Sequence, residues 1–261
     1  MQFPVWIELG PVRLHPHFVM EALAYFLGFR LYLWFRRPER LSRTVQWSVI
    51  AGAIVGAAFG SKILAWLYDP SVLWAHIAKP LDEPIFWMEG KSIVGGLLGG
   101  LIGVELAKKM VGHTASTGDD LTLPLIFGMA VGRIGCFLTG LEDNTYGIAT
   151  ALPWGIDFGD GVLRHPTQLY ELLFLLALGI MLSFIKRVLH REGDIFKLFM
   201  VTYFAFRLGV DFIKPYPRPY IGLGAIQVAC VLGILYYTRH LPRLIRLLKK
   251  MTSERRLTGH V

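Results

Sequence analysis

AVGRIGCFLTG, residues 130–140, sets Arg133 inside an apolar run, with Gly132 and Gly135 bracketing it. Holding an arginine at such a depth costs at least about 2.5–3.5 kcal/mol on membrane-insertion scales, so it faces a bundle interior, a water-filled cavity or a polar ligand. The glycines let another helix, a backbone or a lipid headgroup come close. Arg133 is therefore either a structural partner of a neighbouring carboxylate or an anion clamp.

The 261 residues are 54% hydrophobic with mean hydropathy +0.48. Several apolar runs are long enough to cross a hydrocarbon layer of about 30 Å. The expected fold is an all-α polytopic membrane protein of about seven transmembrane helices, near 17–36, 46–67, 91–112, 121–140, 167–186, 195–214 and 221–240. Residues 1–261 form one transmembrane domain, with 141–165 as a small irregular external cap rich in Gly, Pro, Asn and Asp. No removable signal segment precedes the first span, which is expected to stay in the protein. The net charge of +8 comes from basic residues in short loops and the tail, so a nucleic-acid partner is not expected. Cys136 and Cys230 lie in apolar spans, which indicates neither a disulfide framework nor a zinc ligand set. Neither metal nor cofactor is expected.

Arg36, Arg37, Arg40 and Arg43, then Lys108 and Lys109, then Lys186, Arg187, Arg191 and Lys197, and finally the tail from 239 to 256 all fall on one side of a seven-span chain. The opposite loops lean acidic, so the N-terminus is predicted outside and the C-terminus inside, the basic tail lying against anionic headgroups. Residues 69–89 are broken by Pro70, Pro80 and Pro84 and carry Trp74 and Trp87, which predicts a segment lying on the membrane surface. Gly52, Gly56 and Gly60 in the second span, and Gly95, Gly99 and Gly103 in the third, are rows for close helix contact.

This orientation gives a depth to every polar residue. Glu21 and Tyr25 share one face in the outer half of the first span, Lys62 is in the outer half of the second, and Lys91 and Ser92 open the third. Tyr203, Arg207 and Asp211 follow at four-residue spacing in the sixth, with Lys214 at its mouth, and Gln227 is near the outer end of the seventh. Charges from several spans at one depth predict one cavity open to the outer leaflet. Its surplus of Lys62, Lys91, Arg133 and Arg207 over Glu21 and Asp211 suits a phospholipid phosphate, which guanidinium binds with two parallel hydrogen bonds. Arg207 and Asp211 also fit a simple intrahelical ion pair. His165, just before Pro166, is the titratable candidate of the outer loop, and Glu171 either orients it, pairs with an arginine or favours its own helix dipole.

In order along the chain stand Tyr25 with Gly28 and Phe29, the Gly95-Gly96-Leu97 turn, GRIGCF with Gly140 and Gly147, RHPTQLYE, and Tyr203, Arg207, Asp211 ending in Lys214-Pro215. This series resembles the prolipoprotein diacylglyceryl transferases of bacterial inner membranes. The resemblance implies a seven-span inner-membrane enzyme without a metal. Its donor would be phosphatidylglycerol and its acceptor the lipobox cysteine thiol of a prolipoprotein, with glycerol phosphate released. It further implies that Arg133 and Arg207 engage the phosphate, that Tyr203 shapes the site, that Asp211 takes the family's glutamate position and that Gly147 closes the loop motif.

Four positions depart from the family pattern. Val94 stands where the family has histidine, Cys136 replaces the asparagine of its GRxGNF signature, Glu21 replaces a tyrosine, and Leu141 or a shifted Glu142 stands at its acidic position. Lys91 is an addition. Valine cannot accept a proton, so Glu21, His165 or Lys91 supplies the base, or the chemistry differs. Cys136 is then either an apolar filler or a nucleophile. The expected catalytic set is Glu21, Arg133, His165 and Arg207, with Tyr25, Lys91, Ser92, Cys136, Gly147, Tyr203 and Asp211 binding substrate. The alternatives are a family member acting on another acceptor and a non-catalytic phospholipid-binding or translocating protein.

Overall fold

The computed structural model describes residues 2–36, 41–80, 82–88, 90–187, 189 and 191–238. Arg37, Arg40, position 89 and the basic tail from 239 onward, including the end of the seventh expected span, lie outside the described residues. A short antiparallel hairpin, β1 (Ile7–Leu9) with β2 (Val12–Leu14), pairs Ile7 with Leu14 and leads into α1 (Pro16–Phe35). Pro16 opens that helix where its missing N–H would have had no helical partner. Then follow α2 (Arg43–Trp66), two short helices α3 (Pro70–Ala78) and α4 (Pro84–Met88), α5 (Ile93–Met110) and α6 (Asp119–Thr139).

The cap after α6 holds a 3-10 turn (Gly140–Asp143) and a two-residue ladder of β3 (Ile156–Asp157) with β4 (Leu163–Arg164). The chain finishes with α7 (Thr167–Ile185), α8 (Asp194–Val210), a 3-10 turn (Asp211–Ile213) and α9 (Ala225–Tyr237).

Every expected span coincides with a helix, but several ends differ for local reasons. The third starts at Ile93 because Ser92 is its N-cap, the hydroxyl accepting the Gly95 N–H at 3.2 Å. The sixth stops at Val210, so Asp211 and Lys214 lie past it. Residues 69–89 contain α3 and α4, the first capped by the Asp69 carboxylate on the Ser71 N–H at 3.0 Å. By length and composition four helical segments can cross a membrane: Pro16–Phe35, Arg43–Trp66, Asp119–Asp143 and Thr167–Ile185. The apolar Ala225–Tyr237 is shorter. Their outward faces carry Phe18, Phe26, Phe59, Leu173, Ile180 and Leu232, all exposed, as lipid-facing surfaces require. The chain is a polytopic membrane protein.

The glycine rows do face each other. A Cβ on Gly56 would stand 2.2 Å from the Gly99 carbonyl oxygen, one on Gly60 2.4 Å from that of Gly95, and one on Gly103 2.1 Å from that of Gly52. The backbones of α2 and α5 thus touch along their length, where lipid tails supply no hydrophobic drive and close packing holds helices together. Helices α1 and α6 form a second pair, with Gly135 packed on Met20 and His17. Gly132, the other glycine beside Arg133, has open space around it. The deepest core lies where α7, α8 and α9 meet α6, with Leu175, Leu182, Phe199, Met200, Phe204 and Cys230 fully buried. At the far end Asp119 of α6 accepts the N–H groups of Gly193 (2.7 Å) and Phe196 (3.0 Å), tying α8's first turn to α6.

Gly99→Val should lower the melting temperature in detergent and the amount of inserted protein, since overpacking costs about 1–3 kcal/mol or more where backbones cannot part. Gly132→Ala should leave both unchanged. Circular dichroism melts of the two purified variants check the contrast.

Candidate active site

Glu171, in the first turns of α7 and fully buried, is the meeting point of the intramembrane charges. Its Oε1 accepts the Tyr203 hydroxyl at 2.7 Å and faces Arg133 Nη2 at 3.0 Å, while Oε2 takes Arg207 Nη1 at 2.9 Å. Arg207 Nη2 reaches Asp211 Oδ1 at 2.8 Å. Three helices deliver these groups: α6 brings Arg133, α7 Glu171, and α8 Tyr203 and Arg207 on one face, as their four-residue spacing requires. The alternatives left open for Glu171 resolve to pairing with both arginines, and the Arg207–Asp211 ion pair is present beside it.

Buried Lys214 adds a third cation past the end of α8. With Lys214 charged, three cations face two carboxylates, an excess of one positive charge.

Several buried polar atoms on these residues and on nearby Gln168 lack partners. Among the described residues, Arg133 Nε, Arg207 Nε and both amide atoms of Gln168 are buried and make no hydrogen bond. Gln168 is one turn before Glu171 on α7 and 1% exposed. Buried polar groups are nearly always satisfied, so several orphans around one carboxylate mark a place built for something more. A small cavity lined by Tyr68, Asp211, Tyr216, Gly224 and Gln227 abuts the cluster.

The charges do not share one open cavity, which corrects the expectation. Lys62 donates to the Met88 carbonyl at the end of α4. Lys91 pairs with Glu21 at 2.6 Å, and the Tyr25 hydroxyl donates to the same oxygen at 3.2 Å. Glu21 Oε2 faces His17 Nε2 at 3.9 Å, and His17 Nδ1 meets Asp143 Oδ1 at 2.8 Å. This second set is half-open to the outside, Lys91 59% and His17 34% exposed in their side chains. Arg133 joins the two sets: its Nη1 points at Cys136 Sγ, 3.5 Å away, and Cys136 neighbours His17.

Three expected site residues have evident structural duties. Ser92 caps α5, and its N–H donates to Ser61 Oγ at 2.9 Å. Gly147 donates its N–H to the His165 carbonyl at 2.9 Å, and a Cβ there would collide with His165 at 2.6 Å, so only glycine closes the loop. His165 itself is pinned, its Nδ1 3.1 Å from the Tyr170 hydroxyl and its N–H donating to the Ile148 carbonyl, on the loop rather than on the arginine cluster. Beside it, Arg164 binds Asp160 at 2.5 Å, which holds that carboxyl below the usual range. Val94, at the family's histidine position, is packed in the core and 1% exposed.

The pattern reading passed over Glu171 as a site residue and did not single out His17 or Asp143. His17 did carry a signal, since it stands four residues before Glu21 and eight before Tyr25, on one helical face with both.

The family model described as prolipoprotein diacylglyceryl transferase matches residues 4–241. Among curated relatives, three named phosphatidylglycerol–prolipoprotein diacylglyceryl transferase are similar over most of their length. The protein of Solidesulfovibrio magneticus is 34% identical (84% of this chain, 83% of the relative). That of Bordetella parapertussis is 32% identical (84% and 85%), and that of Cupriavidus pinatubonensis 30% identical (87% and 83%). The chain spanned by those matches carries the arginine cluster, the pinned loop and the glycine-paired helices, and it belongs to the prolipoprotein diacylglyceryl transferase family.

Proposed function

We propose that this protein moves the diacylglyceryl group of phosphatidylglycerol, or a similar anionic phospholipid, onto the lipobox cysteine thiol of a prolipoprotein, forming a thioether and releasing glycerol phosphate. The observation that carries the reading is the pair of buried guanidiniums clamped on one carboxylate with unpaired donors around it. A lipid phosphate has the charge and oxygen geometry to take the place of Glu171 on Arg133 and Arg207 and to use the orphaned Nε–H groups and the Gln168 amide. The arginines then neutralise the charge that grows on the leaving phosphate. Family membership supports the donor and acceptor. The reading places α1, α2 and α5 to α9 across a bacterial inner membrane, N-terminus outside and C-terminus in the cytoplasm.

Val94 favours a second reading, in which the anion site persists without this transfer or serves another acceptor. A lipobox thiol has a pKa near 8.5 and needs a base, and none stands at that position. The first two candidates for the base are both engaged: Glu21 by Lys91 and Tyr25, His165 by Tyr170.

The decisive measurement is thioether product from labelled phosphatidylglycerol and a lipobox peptide with purified protein. The transferase reading expects product, lowered about 100-fold or more in Arg133→Ala and Arg207→Ala, with lysine a poor substitute for either. Lipid binding without product selects the second reading. Glu171→Gln leaves two buried guanidiniums without their shared anion, a loss of about 3–5 kcal/mol. Its melting temperature should fall, and added phosphatidylglycerol should raise it by more than in the wild type. Reporter fusions after Thr150 and at the C-terminus should report opposite sides of the membrane.

A further inference from the structure

Three groups from separate parts of the chain converge at the outer end of α6: the Cys136 thiol, the His17 imidazole of α1 and the Asp143 carboxylate of the turn after α6. One donor atom of each lies within 4.8 Å of the other two. Asp143 is itself fixed by the Thr145 hydroxyl and buried, and its Oδ1 stands 2.8 Å from His17 Nδ1. With Nδ1 engaged by the carboxylate, Nε2 is the nitrogen left to take a proton. Glu21 faces Nε2 at 3.9 Å, so an imidazolium forming there sits between two carboxylates, one of them offset by Lys91.

Such a set of donors also suits a zinc ion, but Arg133 places a fixed cation 3.5 Å from the sulfur. A guanidinium at that distance opposes a dication, so the sulfur is better placed to react than to hold a metal. A nucleophile, a base beside it and a group orienting the base are the three parts of covalent catalysis.

We propose that Cys136 is a nucleophile activated by His17, with Asp143 as a positioning residue, and that it takes a fatty acyl group from a phospholipid ester. The proposal relies on the phosphate site described above only for where the headgroup rests. Arg133 reaches toward that site with Nη2 and toward the sulfur with Nη1, so a phosphate held there brings the glycerol esters, a few bonds away, to the thiol. His17 accepts the thiol proton, Sγ bonds to the ester carbonyl carbon, and the tetrahedral adduct collapses with cleavage of the ester C–O bond. The departing lyso-lipid alkoxide takes the proton back from His17. Thiol and ester become thioester and alcohol; water or an amine then attacks the thioester and restores the thiol.

The purified full-length protein is incubated with phosphatidylglycerol vesicles labelled in the acyl chains, with and without a lipobox peptide, and examined by intact and peptide mass spectrometry. The proposal expects one acyl mass on the peptide containing Cys136, released by neutral hydroxylamine, absent in Cys136→Ala and unchanged in Cys230→Ala. His17→Asn should slow its formation about 100-fold. Asp143→Asn should slow it as well, with Asp143→Glu recovering part of the rate.

A second readout needs no lipid. Alkylation of Cys136 by iodoacetamide, at equal melting temperature, should be about 10-fold slower or more in His17→Asn, because the side chain that takes the thiol proton is gone. Wild type that forms peptide thioether but never a hydroxylamine-sensitive adduct overturns this proposal and keeps the transferase. An adduct without thioether does the reverse. An alkylation rate indifferent to His17, or stoichiometric zinc that leaves with any of the three side chains, also overturns it.

Discussion

The site rests on one electrostatic constraint: two guanidiniums cannot share a membrane interior unless an anion lies between them. Glu171 is that anion. Its two oxygens hold Arg133 of α6 and Arg207 of α8, and Tyr203 completes the coordination. The interaction ties three helices together and holds the two guanidiniums on one shared anion. An anion that takes the place of this carboxylate on the two guanidiniums leaves neither cation unpaired in hydrocarbon.

Around that centre the protein divides into supports of different chemistry. On one side, α2 and α5 are joined by backbone contact along glycines, and Ser92 and Ser61 finish the joint with polar caps. On the other, α1 packs on α6 and brings His17 to Cys136 and Asp143. The loop above is closed by Gly147 and His165, whose main chains interlock. Valine at position 94 fills the core, and His17, Glu21 and Asp143 stand on the α1–α6 side instead.

How much of this was legible in the sequence depended on whether the signal was local. Apolar length gave the helices, and four-residue spacing gave the α8 face that carries Tyr203 and Arg207. The glycine rows at 52–60 and 95–103 announced a contact that the backbones make. Helix ends were less legible, because Ser92 and Asp211 act as cap and terminal turn through geometry that composition does not encode. Partnership was least legible. Nothing local tells Glu171 to choose Arg133 and Arg207 over His165, and His17 meets Asp143 only because α1 lies along α6. Depth alone therefore merged into one cavity what the fold separates into a buried arginine cluster and a partly exposed set around His17.

The glycine seam has a mechanical consequence. Helices in backbone contact have few intervening side chains to flex, so α2 and α5 form one stiff unit beside the α1–α6 pair. Between the two lies Lys91 with Glu21, a surface ion pair at 2.6 Å whose attraction weakens as salt rises. The α2–α5 seam is thus held by contacts that salt leaves alone, whereas α1 is fastened to the start of α5 by a bond that ionic strength loosens.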